Sequence, residues 1–228
     1  MLPLMKYITV HSVRQMLHSA MLPARAHYLY TDASPSGTPS RLNIVKTAVG
    51  VHDKILKMCL DKGDHYIRKA VEELGTWIGN SGNALIYGGS KSGLMGAIAD
   101  SVLNAGGKVT GVEPNLFIEN EYQHDGLTKL IVTKDMSERK NKMIELGEAF
   151  IAFPGGTGTL EEIADVMSKV SLKQLDNPCI LYNLNGYYDD LKSLLNHMIE
   201  KGLSSKERQE GIYFVENLDD IKRILKLA

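Results

Sequence analysis

Cysteine is scarce in this chain: Cys59 and Cys179 are the only two among 228 residues. Two cysteines make neither a disulfide framework nor a thiolate metal-ligand set. An excess of one charge is also missing, since 26 Lys and Arg stand against 27 Asp and Glu, for a net charge of −1. A chain so balanced carries no electrostatic footprint for nucleic acid or for an anionic membrane surface. No apolar run approaches the roughly 20 residues that cross a bilayer. The seven histidines show no metal-binding spacing, and His11 and His18, seven apart, fall in a segment without periodicity. These absences point to a reducing, cytoplasmic setting with no metal, no membrane and no nucleic acid. What remains is ordinary for a globular protein: 43% hydrophobic and 23% charged residues, enough for one sizeable α/β core and one domain.

Residues 1–40 differ from the rest. No acidic residue precedes Asp32, while Lys6, Arg14 and Arg25 are basic, and Ser34-Pro35-Ser36-Gly37-Thr38-Pro39-Ser40 is a turn-rich linker. The segment reads either as a basic, acid-poor targeting sequence or as an ordinary N-terminal extension of unclear role. The folded domain is expected over residues 41–228.

From residue 63 the pattern is regular. Ile67, Val71, Leu74 and Ile78 recur at helical spacing, so a helix is expected over His65–Asn80. Strands are expected over Asn83–Tyr87, Lys108–Val112, Leu127–Thr133, Phe150–Phe153, Pro178–Tyr182 and Ile212–Val215. Helices are expected over Leu94–Asn104, Ser137–Leu146, Leu160–Leu175, Tyr187–Lys201 and Leu218–Leu227. This alternation argues a parallel sheet covered on both faces, a Rossmann-like, doubly wound α/β fold in a single domain.

Two glycine turns stand at strand carboxyl ends: Gly88-Gly89-Ser90-Lys91-Ser92-Gly93 and Pro154-Gly155-Gly156-Thr157-Gly158-Thr159. Either alone is weak evidence, since tight strand-to-helix turns use glycine for φ > 0 without any ligand. Together they face one crevice, where backbone N–H groups at helix starts suit a phosphate. Neither ends in Gly-Lys-Ser/Thr, which disfavours triphosphate hydrolysis. A third segment, Asp135-Met136-Ser137-Glu138-Arg139-Lys140, places two cations in a first helical turn if Ser137 is the N-cap. There they oppose the helix dipole, a cost a bound anion would offset, or else they pair with nearby acids. Glu162 reads in two ways. With Thr159 as N-cap it completes a capping box, and beside a phosphate cradle it is a carboxylate available for chemistry.

The ordered set Tyr87-Gly88-Gly89, Gly93-Leu94-Met95-Gly96 with Ala99, Met136…Arg139-Lys140 and Pro154-Gly155-Gly156-x-Gly158-Thr159-x-x-Glu162 resembles the LOG ("lonely guy") family. The likeness runs over roughly residues 63–228. It implies a phosphoribohydrolase that cleaves the N-glycosidic bond of cytokinin riboside 5′-monophosphates, and often of AMP, without metal or cofactor. It also implies a homodimer with the active site near the subunit interface. Arg139 and Glu162 match the family's catalytic pair. Lys140, Gly156, Thr157, Gly158, Thr159, Glu161 and Ser168 match its substrate contacts, with Glu121 aligned by its spacing to Arg139. Gly88, Gly89, Gly93, Met95 and Gly155 belong to the two glycine motifs that would hold the substrate. Many relatives carry a lysine decarboxylase label, but no motif here designates a Schiff-base lysine.

The chain departs from the family at Ser90, where a third glycine is usual, and at the front. The family's first strand runs into a Gly-Ser-rich loop. The candidate strands here, Leu42–Val45 and Lys57–Leu60, lack one, and Asp61-Lys62-Gly63-Asp64 is shorter and more charged. That departure keeps two alternatives open: a non-catalytic nucleotide or cofactor carrier on the same scaffold, and a nucleosidase of broad nucleoside 5′-monophosphate specificity.

Overall fold

The computed structural model describes residues 7–11, 64–118 and 123–227. Strands β1 (Tyr7–His11), β2 (Ala84–Tyr87), β3 (Lys108–Pro114), β4 (Lys129–Thr133), β5 (Ala149–Ala152), β6 (Cys179–Tyr182) and β7 (Ile212–Val215) alternate with helices. The helices are α1 (Asp64–Asn80), α2 (Gly93–Asn104), the single turn α3 (Asn115–Ile118), α4 (Met136–Leu146), α5 (Thr157–Ser171), α6 (Asp189–Glu200) and α7 (Leu218–Leu227). All pairings among these seven strands are parallel, in the order β4-β3-β2-β1-β5-β6-β7, and a single isolated antiparallel bridge joins Ser90 to Gln123 among the described residues. β2, β5 and β6 are buried at every position, as a sheet covered on both faces requires.

One layer packs Val71, Leu74 and Ile78 of α1, Ile98 and Val102 of α2 and Ile221 and Leu225 of α7 against Leu85, Val109, Ile151 and Ile180. The other packs Ile163, Val166 and Val170 of α5, with Leu191 and Leu195 of α6, against Phe150, Cys179 and Leu181. Met143 of α4 joins Ile86 and Val112 on that same side. Helices therefore cover both faces, as the alternation predicts, and the two layers part around β1.

The first strand is the main correction. β1 lies at Tyr7–His11, inside the segment read as an extension, and pairs with both β2 and β5. The candidates Leu42–Val45 and Lys57–Leu60 lie outside the described residues. Boundaries moved elsewhere for local reasons. α5 stops at Ser171 instead of Leu175 because Lys173 turns left-handed, with φ 54°. β4 begins at Lys129 instead of Leu127, where the Thr128 hydroxyl accepts from Val109 N at 3.0 Å.

Candidate active site

β2 and β5 are the two neighbours of β1, so the turns that follow them stand about 10 Å apart across its carboxyl end. The helices they lead into lie on opposite faces, α2 on one and α5 on the other. This is the switch point at which a doubly wound sheet opens a crevice.

The helix starts at that crevice are bare. α5 begins after Gly156 with no side-chain cap and no acid in its first turn. α2 begins after Ser92, also with no side-chain cap from that residue and no acid in its first turn, although the Ser92 N–H donates to Ser90 Oγ at 3.1 Å. The first four N–H groups of a helix find no acceptor inside it, which for α5 are those of Gly156, Thr157, Gly158 and Thr159. Other helix starts are satisfied differently. Asp135 caps α4 by accepting from Glu138 N at 2.8 Å, Asn217 accepts from Asp220 N at the start of α7, and α6 opens with Asp189 and Asp190. Beside the bare α5 start, the Thr159 hydroxyl is fully buried with no hydrogen-bond partner among the described residues. A buried hydroxyl without a partner costs roughly 1–3 kcal/mol, which a bound oxygen anion would relieve.

Two ion pairs bridge α4 to α5 over this point. Arg139 Nη1 donates to Glu162 Oε1 at 2.6 Å, with side chains only 7% and 4% exposed. Arg139 Nε donates to the Val112 carbonyl at 3.0 Å, which fixes the guanidinium at the end of β3. Lys140 Nζ donates to Glu161 Oε1 at 2.5 Å in a more open setting. The glycine turn after β2 is shaped around the same groups. A Cβ on Gly88 would stand 2.3 Å from Arg139 Nη2, and one on Gly89 would stand 2.5 Å from Glu113 Cγ, with φ +84° besides. At Gly89 the positive φ itself favours glycine, and a side chain at position 88 would have to displace the Arg139 guanidinium.

Three local expectations are corrected. The cap of α4 is Asp135 instead of Ser137, so Arg139 and Lys140 fall beyond the first turn, where the dipole cost fades. α5 starts at Thr157 instead of Leu160, so Thr159 is inside the helix and is no N-cap. Glu162 consequently makes no capping box and turns to Arg139 instead. Glu161 and Glu162 likewise lie past the first turn.

Gly88, Gly89, Met95, Gly158 and Thr159 are buried around the crevice, with Gly93, Gly155 and Gly156 half-buried at the two helix starts. Thr157, Lys140 and Glu161 stand at its mouth. Ser168 is not brought to the Arg139–Glu162 pair: it is exposed on α5, about 9 Å further along the axis than Glu162. Glu121 lies outside the described residues. Sequence reasoning missed three groups. Glu113 is fully buried at the carboxyl end of β3, under Gly89. Tyr187 and Tyr188 donate their hydroxyls to the Gly155 and Phe153 carbonyls. No spacing signal links residues 32 and 35 apart, although a Tyr-Tyr pair after a glycine was visible. Burial, then Tyr187 and Cys179 nearby, pushes the Tyr188 phenol well above its usual range, so it donates as a neutral group. A separate cavity of about 390 Å³ lies between α1 and α7, lined by Tyr66, Lys69, Glu73, Tyr182, Asp219 and Lys222, and includes neither Arg139 nor Glu162. Among the described residues, no three His, Cys, Asp or Glu side chains gather as a metal site would require. No helix among them is long and apolar enough to cross a membrane.

A family model described as "Possible lysine decarboxylase" matches residues 95–225, more than half of the chain. Over 149 residues the chain is 40% identical to a cytokinin riboside 5′-monophosphate phosphoribohydrolase of Rhodococcoides fascians, covering 65% of this chain and 75% of the relative. The chain belongs to the LOG family. A second LOG relative, the phosphoribohydrolase LOG1 of Arabidopsis thaliana, is 36% identical over 160 residues, covering 68% of this chain and 75% of that protein. In fold alone, the chain is similar to the molybdenum cofactor binding protein of Rippkaea orientalis, with TM-score 0.57 and 20% identity over 98% of this chain and 96% of that one. The decarboxylase wording finds no support in this LOG site. Its lysine, Lys140, is engaged by Glu161 instead of being presented for a Schiff base.

Proposed function

We propose that this chain hydrolyses the N-glycosidic bond of nucleoside 5′-monophosphates, cytokinin riboside monophosphates and AMP among them, releasing free base and ribose 5-phosphate. The observation that carries the reading is the buried Arg139–Glu162 pair set beside the bare start of α5. The 5′-phosphate sits on the N–H groups of Gly156 to Thr159, with the Thr159 hydroxyl as a further donor. Cleavage breaks the C1′–N bond and leaves positive charge on the ribose. Glu162 stabilises that charge and orients the water whose oxygen adds to C1′. The base departs with the bond electrons and takes up a proton. Arg139 balances the buried negative charge of Glu162 and holds the carboxylate in place. One carboxylate does this work, unlike the paired acids of sugar hydrolases.

The active form is proposed to be a homodimer. Leu160 and Leu172 are 47% and 54% exposed; Leu160 shares the i, i+4 ridge of α5 with Ala164 and Ser168, and Leu172, the C-cap residue, continues that spacing just past the helix end. A second copy covering that ridge would bring Ser168 into a site completed between subunits.

Incubation with AMP, isopentenyladenosine 5′-monophosphate and CMP, with chromatography for free base, tests the reading. Release from the two purine nucleotides is the expected result. Equal release from CMP would show a broad nucleosidase, and tight binding without product would show a carrier. Wild-type release by Glu162→Ala would remove the assignment.

A further inference from the structure

The loop between β6 and α6 grips the glycine turn after β5 from outside. Its base is rigid: Asn183 N donates to the Val215 carbonyl at 2.6 Å, Asn183 Oδ1 accepts from Tyr188 N at 2.6 Å, and Asn183 Nδ2 donates to Asp189 at 2.8 Å. From this base two adjacent tyrosines reach back. Tyr188 donates its hydroxyl to the Phe153 carbonyl at 2.5 Å, and Tyr187 donates its own to the Gly155 carbonyl. Their rings meet edge to face, with centroids 5.0 Å apart and planes at 88°. The two carbonyls bracket Pro154, but they differ in what lies across the peptide bond. The Phe153 carbonyl is joined to Pro154, which has no N–H. The Gly155 carbonyl is joined to Gly156, whose N–H is the first of the four unpaired donors at α5.

In a trans peptide the C=O and the following N–H point opposite ways, and no described residue has a cis bond. Holding the Gly155 carbonyl outward therefore turns the Gly156 N–H inward to the crevice. With no Cβ on either side, the Gly155–Gly156 peptide plane is the freest in the turn to rotate. We propose that Tyr187 is a positioning residue, a latch whose hydroxyl locks this peptide and so aims the Gly156 N–H at the substrate's 5′-phosphate. The inference rests on the phosphate cradle of the proposed function and deepens it. Tyr188 anchors the same turn without aiming a donor.

The test compares Tyr187→Phe and Tyr188→Phe with wild type in two assays: turnover of AMP, and calorimetric binding of ribose 5-phosphate. Tyr187→Phe is expected to raise the KM for AMP and the Kd for ribose 5-phosphate about 5–10-fold, the size of one hydrogen bond. Its kcat is expected to stay within about 2-fold, as for lost uniform binding. Its Tm is expected to hold, because the Tyr187 side chain is half exposed. Tyr188→Phe is expected to show the reverse, a lower Tm with ribose 5-phosphate affinity kept. Unchanged affinity in a folded Tyr187→Phe, with wild type binding normally, overturns the latch alone. Failure of wild type to bind ribose 5-phosphate overturns the cradle and the latch together. Binding without turnover in wild type leaves the latch readable by calorimetry, where the Tyr187→Phe result supports or overturns it while hydrolysis falls.

Discussion

Arg139 and Lys140 are adjacent, and each meets a glutamate on α5, yet their surroundings set very different energies. The Arg139–Glu162 pair is almost fully buried, whereas Glu161 is 54% exposed. Removing one member of a buried pair leaves an uncompensated charge and costs about 3–5 kcal/mol, while an exposed pair contributes about 0–1 kcal/mol. Urea unfolding should therefore show Arg139→Ala destabilised by about 3–5 kcal/mol and Lys140→Ala by less than about 1 kcal/mol. Equal effects would mean that the pair is not desolvated in solution. Both residues were legible as motif positions in the sequence. Their pairing was not, since it joins residues 23 apart on different helices. Glu113 was invisible for the same reason, because its place is set by Gly89, in the turn that follows the neighbouring strand β2.

Helices and strands show the same division between local and tertiary information. The limits of β7 and α7 match expectation residue for residue, Ile212–Val215 and Leu218–Leu227. There, periodicity and the turn between them suffice. α5 starts three residues earlier than its apolar pattern suggests, because Thr157 and Gly158 contribute helical backbone without an apolar face. β1 was missed although Ile8, Thr9 and Val10 are residues that favour strands. Five residues in a basic, acid-poor stretch carry little signal until β2 and β5 flank them. The uncapped start of α5 leads to a prediction in which stability and function separate. Gly156→Asp supplies the missing cap and a negative charge, so α5 gains a few tenths of a kcal/mol by urea unfolding. The same charge stands where the 5′-phosphate would bind, so the KM for AMP should rise by about 10-fold or more. A variant both more stable and unimpaired would show that the anion lies elsewhere.

At the scale of the whole molecule, the core contains acids kept neutral by burial. Burial raises the Cys179 thiol from 9.0 to about 12, and burial first, then Tyr66, Glu73 and Asp219, raises the Tyr182 phenol from 10.0 to about 12. The unfolded chain ionises these groups first, so their contribution is full below about pH 9 and is lost as pH rises toward about 12. Urea midpoints should be flat at neutral pH and fall through that window, and Cys179→Ala with Tyr182→Phe should flatten the fall. The exposed ridge of α5 gives the test of assembly. Leu160→Asp with Leu172→Asp should elute as a monomer of 25.2 kDa and lose turnover together with the dimer. Retention of full activity as a monomer would place the complete site within one subunit. β1 has a consequence for biosynthesis. Its partners are far along the chain: Ile8 pairs with Leu85 and with Ala149, the latter about 140 positions later. At ribosomal rates of about 5–20 residues per second, roughly 7–28 s separate the making of β1 from the making of its second neighbour. For that interval the future centre of the sheet has an open edge, the kind of edge on which another chain can pair.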